Sequence, residues 1–231
     1  MEQKKRPTMT IDEELTRVIR SRRIGVPRFR LPFKAEDAYR LLLSCYVAEV
    51  ERREKKFIDH PDTLDRIWEL AQFLTQEHPK LGVLMCGKVG NGKTTLLYAF
   101  QTALNFLRDK GINNLGLNSK DLGIRIISAK DIMQIAKTDW KRYENIRDYP
   151  MLGLDELGAE PKEVKDYGDI VTAVVDLIEH RYVAQKFTLI TSNLDPEEIK
   201  KRYEERVADR LREMVDYIIF GDMESYRRRL K

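Results

Sequence analysis

A chain of 231 residues has room for one sizeable α/β domain with an appendage. Charged residues make up 35%, above the ~25% of an average soluble domain, and no stretch approaches the ~20 apolar residues of a membrane span. Two cysteines without metal spacing, three scattered histidines and no apolar signal core after Met1–Arg6 argue against a disulfide scaffold and a zinc fold; the expected setting is a reducing cytoplasm, and a formal net charge of +4 names no partner.

Residues 1–24 read as a short basic extension, in which Thr10 and Glu13 form a capping-box pair opening a helix to about Arg20. Residues 25–231 read as one domain, with leading helices within 34–78. After an irregular stretch from Gly25 to Pro32, Tyr39, Leu43, Tyr46, Val47 and Val50 recur at helical spacing, and Leu64, Ile67, Trp68, Ala71 and Leu74 mark a second helix from Pro61. From Gly82 the pattern becomes an alternation of strands and helices, the signature of a parallel sheet. The strands expected are 82–86, 124–127, 151–154, 187–191 and 217–220. A helix capped by Ser128 with Asp131 follows the second, a helix carrying Val171, Val174, Val175, Ile178 and Tyr182 precedes the fourth, and Asp195-Pro196 opens another.

Between the first strand and its helix lies Gly87-Lys88-Val89-Gly90-Asn91-Gly92-Lys93-Thr94, which fits GxxxxGK[ST] at every fixed position. Glycines let backbone N–H groups turn inward around phosphate, and the helix N-terminus adds partial positive charge. Lys93 would reach the β- and γ-phosphates, the Thr94 hydroxyl would hold Mg²⁺, and Thr95 belongs with the loop as a nucleotide contact. Asp155 and Glu156 follow the third strand, where a metal-binding carboxylate and a general base belong. Thr191-Ser192-Asn193 ends the fourth, with Asn193 the candidate to orient water. Arg206 and Arg210 stand at i, i+4 on one helical face, either as arginines offered to a neighbouring subunit's γ-phosphate or as partners of Glu205 and Asp209. Basic residues crowd Arg17–Lys34, Lys200–Arg212 and Arg227–Lys231, which fits contact with phosphate of ATP or nucleic acid as well as solvated helix faces.

Leu154-Asp155-Glu156-Leu157-Gly158, Thr191-Ser192-Asn193-Leu194, Glu205-Arg206-Val207-Ala208-Asp209-Arg210-Leu211 and Ser225-Tyr226-Arg227, in this order after the phosphate loop, resemble the DnaC-type helicase loaders and the related IstB-like transposition ATPases. Gly25-Val26-Pro27-Arg28-Phe29 resembles the segment that precedes their ATPase core, one residue shorter. The resemblance implies a three-layer AAA+ fold of the P-loop NTPase type: a five-stranded parallel sheet, N-terminal helices and little or no C-terminal lid. It implies Walker A at Gly87–Thr94, Walker B at Asp155 and Glu156, sensor 1 at Asn193, an arginine finger at Arg210 with Arg206 as competitor, and a sensor 2 arginine at Arg227. The cofactors implied are ATP and Mg²⁺. The partners implied are further copies of the chain, single-stranded DNA, and a replicative helicase or a transposase. An extra helical segment between the second and third strands, here Asp131 to Tyr149, would touch the DNA through Lys137, Trp140, Lys141 and Arg142, with packing between helices as the other role open to Trp140. The leading expectation is an ATPase that loads a helicase, and a transposition helper comes second. A module of another class, using ATP only as a structural ligand, is the third, and the intact Lys93, Thr94, Asp155 and Glu156 speak against it.

Overall fold

A computed structural model describes residues 28–77, 79–112, 123–161, 165–166, 169–170 and 173–221. The expected extension 1–24, Gly25–Pro27, Val171 and the C-terminal Ser225-Tyr226-Arg227 lie outside the described residues, as does any reading of a lid.

In chain order the elements are α1 (Ala35–Glu51), α2 (Pro61–Thr75), β1 (Gly82–Gly87), α3 (Lys93–Asp109), β2 (Arg125–Ser128), α4 (Ala129–Thr138), α5 (Trp140–Arg147), β3 (Met151–Leu157), a hairpin of β4 (Lys165–Asp166) and β5 (Asp169–Ile170), α6 (Ala173–Val183), β6 (Phe187–Ser192), α7 (Pro196–Met214) and β7 (Val215–Phe220). Five strands form one sheet in the order β2-β3-β6-β1-β7, all parallel. The apolar stretches of the three central strands, 83–86, 151–154 and 189–190, are buried because both faces of the sheet are covered. Val83 and Met85 of β1 point into a core with α1, α2 and α3, while Leu84 and Cys86 point into the opposite core with α4 to α7. The same alternation divides Leu189 from Ile190 on β6. This is the expected three-layer α/β fold.

Local chemistry sets the helix starts. Pro61 opens α2 behind His60, whose Nδ1 accepts the Asp62 N–H at 3.3 Å. Ser128 Oγ accepts the Asp131 N–H at 3.1 Å, and Asp195 and Glu198 form a complete capping box at α7. Asp139, with φ −151° and ψ 80°, ends α4 and caps α5, so the stretch expected as one added helical segment is two helices with a corner.

Three expectations shift. The innermost residues of α1 are Ala38, Leu42, Cys45, Tyr46 and Glu49, of which the expected stripe from Tyr39 to Val50 contains only Tyr46; its other members are half-buried. Helical spacing finds the apolar side of a helix but not its deepest line, and α1 is wedged between α2 and α3. The third strand does not stop at Leu154: it continues to Leu157 and carries Asp155 and Glu156 within it. The last strand starts at Val215, directly on the end of α7, because Val215 and Asp216 pair with Gly82 and Val83. The hairpin after β3 was not foreseen.

Arg181 of α6 is fully buried beneath the sheet. Its guanidinium donates to Thr188 Oγ1 (2.8 Å) and to the carbonyls of Arg147 (3.0 Å), Tyr149 (2.7 Å) and Phe187 (2.6 Å), tying together the ends of α5 and α6 and the starts of β3 and β6.

Candidate active site

The C-terminal ends of β1, β3 and β6 meet at a cleft of about 360 Å³ whose floor is residues 89–94 of the phosphate loop. Gly92 caps α3 at φ 88°, and a Cβ there would stand 2.2 Å from the Tyr46 hydroxyl. Gly87, at φ 142°, would drive a Cβ to 2.3 Å from the Phe220 carbonyl. Both positions need glycine for conformation and for space. Asn91 is buried and donates to the Gly221 carbonyl at 2.7 Å, fixing the loop to the end of β7.

Lys93 is only 5% exposed. Its ammonium donates to the carbonyls of Gly87 (2.6 Å) and Lys88 (2.8 Å), and burial pushes its pKa down to about 8, against the pull of Cys86 and Asp155. Thr94 Oγ1 donates to Asp155 Oδ1 at 2.9 Å, so the two residues expected to share a metal do converge. Among the described residues no three His, Cys, Asp or Glu side chains gather as metal ligands. The hydroxyl and single carboxylate therefore suit a hard cation that takes its other ligands from phosphate and water, as Mg²⁺ does.

Glu156 stands at φ 57° where the register of β3 against β6 slips between Leu154 and Leu157. The extra residue of this bulge turns Glu156 out of the ladder, exposed on the cleft wall. Asn193 lines the same wall and is exposed. Sequence reasoning passed over Thr191. Its hydroxyl donates to Asp155 Oδ1 at 2.5 Å and accepts the Glu156 N–H at 2.9 Å, so one buried side chain orients the Asp155 carboxylate and fixes the backbone of Glu156. The only hint was its place at the end of β6, two residues before Asn193.

Glu160 was also missed. It is buried, accepts the Gly158 N–H at 2.9 Å and the Tyr203 hydroxyl, and pairs with Arg202 at 3.5 Å, which locks the turn after Glu156 onto α7.

Lys88, Val89, Gly90 and Thr95 complete the loop region, and all but Lys88 line the cleft. Arg206 and Arg210 do share a face of α7, but neither lines the cleft of its own chain, and neither pairs with Glu205 or Asp209. Both meet Glu179 of α6, because that shared face packs toward α6. Glu205 instead pairs with Lys200 and Asp209 with Arg212. Arg206 is the freer of the two, its side chain 69% exposed against 25% for Arg210. Arg227 lies outside the described residues. Trp140 is 52% exposed at the start of α5, its ring 4.9 Å from that of buried Tyr143, and Lys137, Lys141 and Arg142 are exposed around it.

No protein-family model matches the chain, and no curated protein matches it. Solved structures do. The chain is similar to the DnaC helicase loader, with 22% identity over 71% of this chain and 93% of that one, at a TM-score of 0.54. It is similar to DnaI, with 21% identity over 72% and 86% and a TM-score of 0.52. AMPPCP-bound DnaA from Aquifex aeolicus aligns at 17% identity over 74% and 50%, with a TM-score of 0.49. What this chain shares with DnaC and DnaI is the fold. Among the described residues no helix is long and apolar enough to cross a membrane.

Proposed function

We propose that this chain is a Mg²⁺-dependent ATPase of the initiator and helicase-loader branch of AAA+ proteins, coupling ATP binding and hydrolysis to assembly on DNA, with loading of a replicative helicase as its leading role. The observation that carries the reading is the convergence of Lys93, Thr94, Asp155 and Glu156 around one cleft. Hydrolysis of ATP by the purified chain with Mg²⁺ tests it, and no turnover under any loading of DNA would refute it.

Lys93 places a point charge at the β- and γ-phosphates, while Thr94 and Asp155 hold Mg²⁺. Bound Mg²⁺ supplies charge neutralisation for the phosphoryl oxygens. Glu156 accepts the proton of the attacking water, which Asn193 orients, while Thr191 aims the Asp155 carboxylate and holds the Glu156 backbone. The charge that develops on the transferred group is met by an arginine of a second copy. Arg210 is the residue carried over, and Arg206, with its greater exposure, is its competitor.

The lowered pKa of Lys93 gives this reading a pH signature. A bound phosphate raises that pKa, so binding takes up a proton once the free site has lost its own. Affinity for Mg·ADP should hold steady up to pH about 8 and then fall by roughly tenfold per unit. Calorimetric titrations across that range check it, and a flat profile through pH 9 would contradict the role of Lys93. Folding stability moves the other way. The folded pKa lies below the unfolded value of 10.5, so the cost of burying the ammonium is full below pH about 8 and is relieved as pH rises from there to 10.5.

Trp140, exposed beside Lys137, Lys141 and Arg142, supports single-stranded DNA as a partner. Nucleotide would align several copies so that their basic patches join into one track. Fluorescence anisotropy with single-stranded DNA should show tighter binding with a non-hydrolysable ATP analogue. The affinity should fall by about 10²–10⁴ between roughly 50 and 200 mM salt. Trp140→Ala should cost ~1–3 kcal/mol of binding. Equal affinity with and without the analogue would remove the coupling.

A further inference from the structure

The cleft has a second wall that the phosphate-loop motif does not account for. Between the end of α1 and the start of α2 the chain contributes Arg53, Lys55, Lys56, Phe57 and Ile58 to it. Phe57 packs edge-on to Tyr46, their centroids 6.1 Å apart, and the Tyr46 hydroxyl abuts Gly92. Together with Val50 and Ile58 these rings form the apolar part of this wall, and Val89 lines the cleft from the loop. The carboxylate of Glu156 is the single acidic group among the described residues that line it.

Arg53 stands apart from its neighbour. Arg52 is tied to buried Glu49 at 2.7 Å, which in turn accepts from Thr102 at 2.9 Å, so Arg52 closes a structural network. Arg53 has no carboxylate partner among the described residues. It reaches across to α3, donating from Nη1 to Thr95 Oγ1 at 3.0 Å, with its guanidinium 5.7 Å from the centre of the Tyr98 ring. Thr95 is the residue after Thr94, in the first turn of α3, where backbone N–H groups face phosphate. An exposed cation carried over the cleft to that turn, and left without an acid, is arranged for an anion.

The position says which anion. With a γ-phosphate at Lys93 and Glu156 and a base against Tyr46 and Phe57, the phosphate next to the sugar passes the first turn of α3. We propose that Arg53 is a phosphate-binding residue of the nucleotide site, contributed in cis by the segment after α1 and directed at the α-phosphate. The proposal rests on the nucleotide reading of the cleft. A guanidinium suits the role because its planar fork pairs with two phosphate oxygens at once, which an ammonium cannot do.

The α-phosphate is common to ATP and ADP, and this gives the test its sign. Calorimetric titrations of ATP and of ADP, each with Mg²⁺, are compared for wild type, Arg53→Ala and Arg53→Lys, alongside thermal melting without nucleotide. Arg53→Ala should weaken both nucleotides by the same factor, roughly tenfold, the order expected for a charge-assisted guanidinium–phosphate pair that solvent screens at an exposed site. Arg53→Lys should recover part of the loss, and melting without nucleotide should not change. Wild-type affinity in Arg53→Ala would overturn the proposal. A loss confined to ATP would overturn it by moving the contact to the γ-phosphate. A loss that follows a lowered melting temperature and is not eased by lysine would overturn it by making Arg53 structural. A wild type that binds neither nucleotide would bring down the nucleotide reading itself and this role with it.

Discussion

Glu156→Gln should leave ATP binding intact and lower kcat by about 10²–10⁴, the span expected for removal of a general base. The amide has the shape of the carboxylate but cannot accept the proton of the attacking water. The backbone at this position is in the left-handed region, a conformation set by the bulge between Leu154 and Leu157 and by the Thr191 hydroxyl on the Glu156 N–H. Glutamine meets the same backbone cost as glutamate, so the exchange isolates the chemistry from the fold. Asp155 keeps its own contacts to Thr94 and Thr191, so metal binding should survive. Steady-state turnover measured beside the nucleotide Kd separates the two effects. Wild-type kcat in this variant would assign the base elsewhere, and a loss of binding with kcat unchanged would make Glu156 a ligand and not a base.

Arg181→Ala should destabilise the fold by about 3–5 kcal/mol. Two effects oppose each other at this site. Burial pushes the guanidinium pKa down, so holding its charge inside is costly, and truncation relieves that cost. Truncation also removes the donor to the carbonyls of Arg147, Tyr149 and Phe187, leaves the Thr188 hydroxyl with only its bond to the Lys186 carbonyl, and empties the volume of one of the largest fully buried side chains. An unpaired buried polar group costs about 1–3 kcal/mol, so three carbonyls losing this donor, with a cavity, outweigh the relief. Arg181→Lys should restore only part of the loss, because one ammonium cannot reach acceptors spread over residues 147–149 and 187–188. Denaturant midpoints measure both variants. A change under ~1 kcal/mol in Arg181→Ala would mean that these acceptors find water. The site lies at the opposite end of the strands from the cleft, so the folded fraction of either variant should keep its nucleotide affinity.

The chain itself determined whatever depends on neighbours in sequence. A phosphate loop is eight contiguous residues whose glycines are demanded by backbone angle and close approach, as Gly87 and Gly92 show. Strands covered on both faces are rich in apolar residues, so β1 and β6 were legible as soon as the loop was seen. The caps at Ser128 and Asp195 are interactions across three residues and are written in those residues. Tertiary structure decided what depends on pairs far apart in the chain. Thr191 meets Asp155 across 36 positions and Arg53 meets Thr95 across 42, and no periodicity encodes either meeting. The helical spacing of Arg206 and Arg210 put them on one face, but only the packing of α7 on α6 turned that face to Glu179 and away from Glu205 and Asp209. Trp140 read equally as core or surface until the corner at Asp139 placed it at the start of a short helix, half in solvent. The bulge that presents Glu156 arises from the fit of two strands, which neither strand's sequence contains, because a register is a property of the pair.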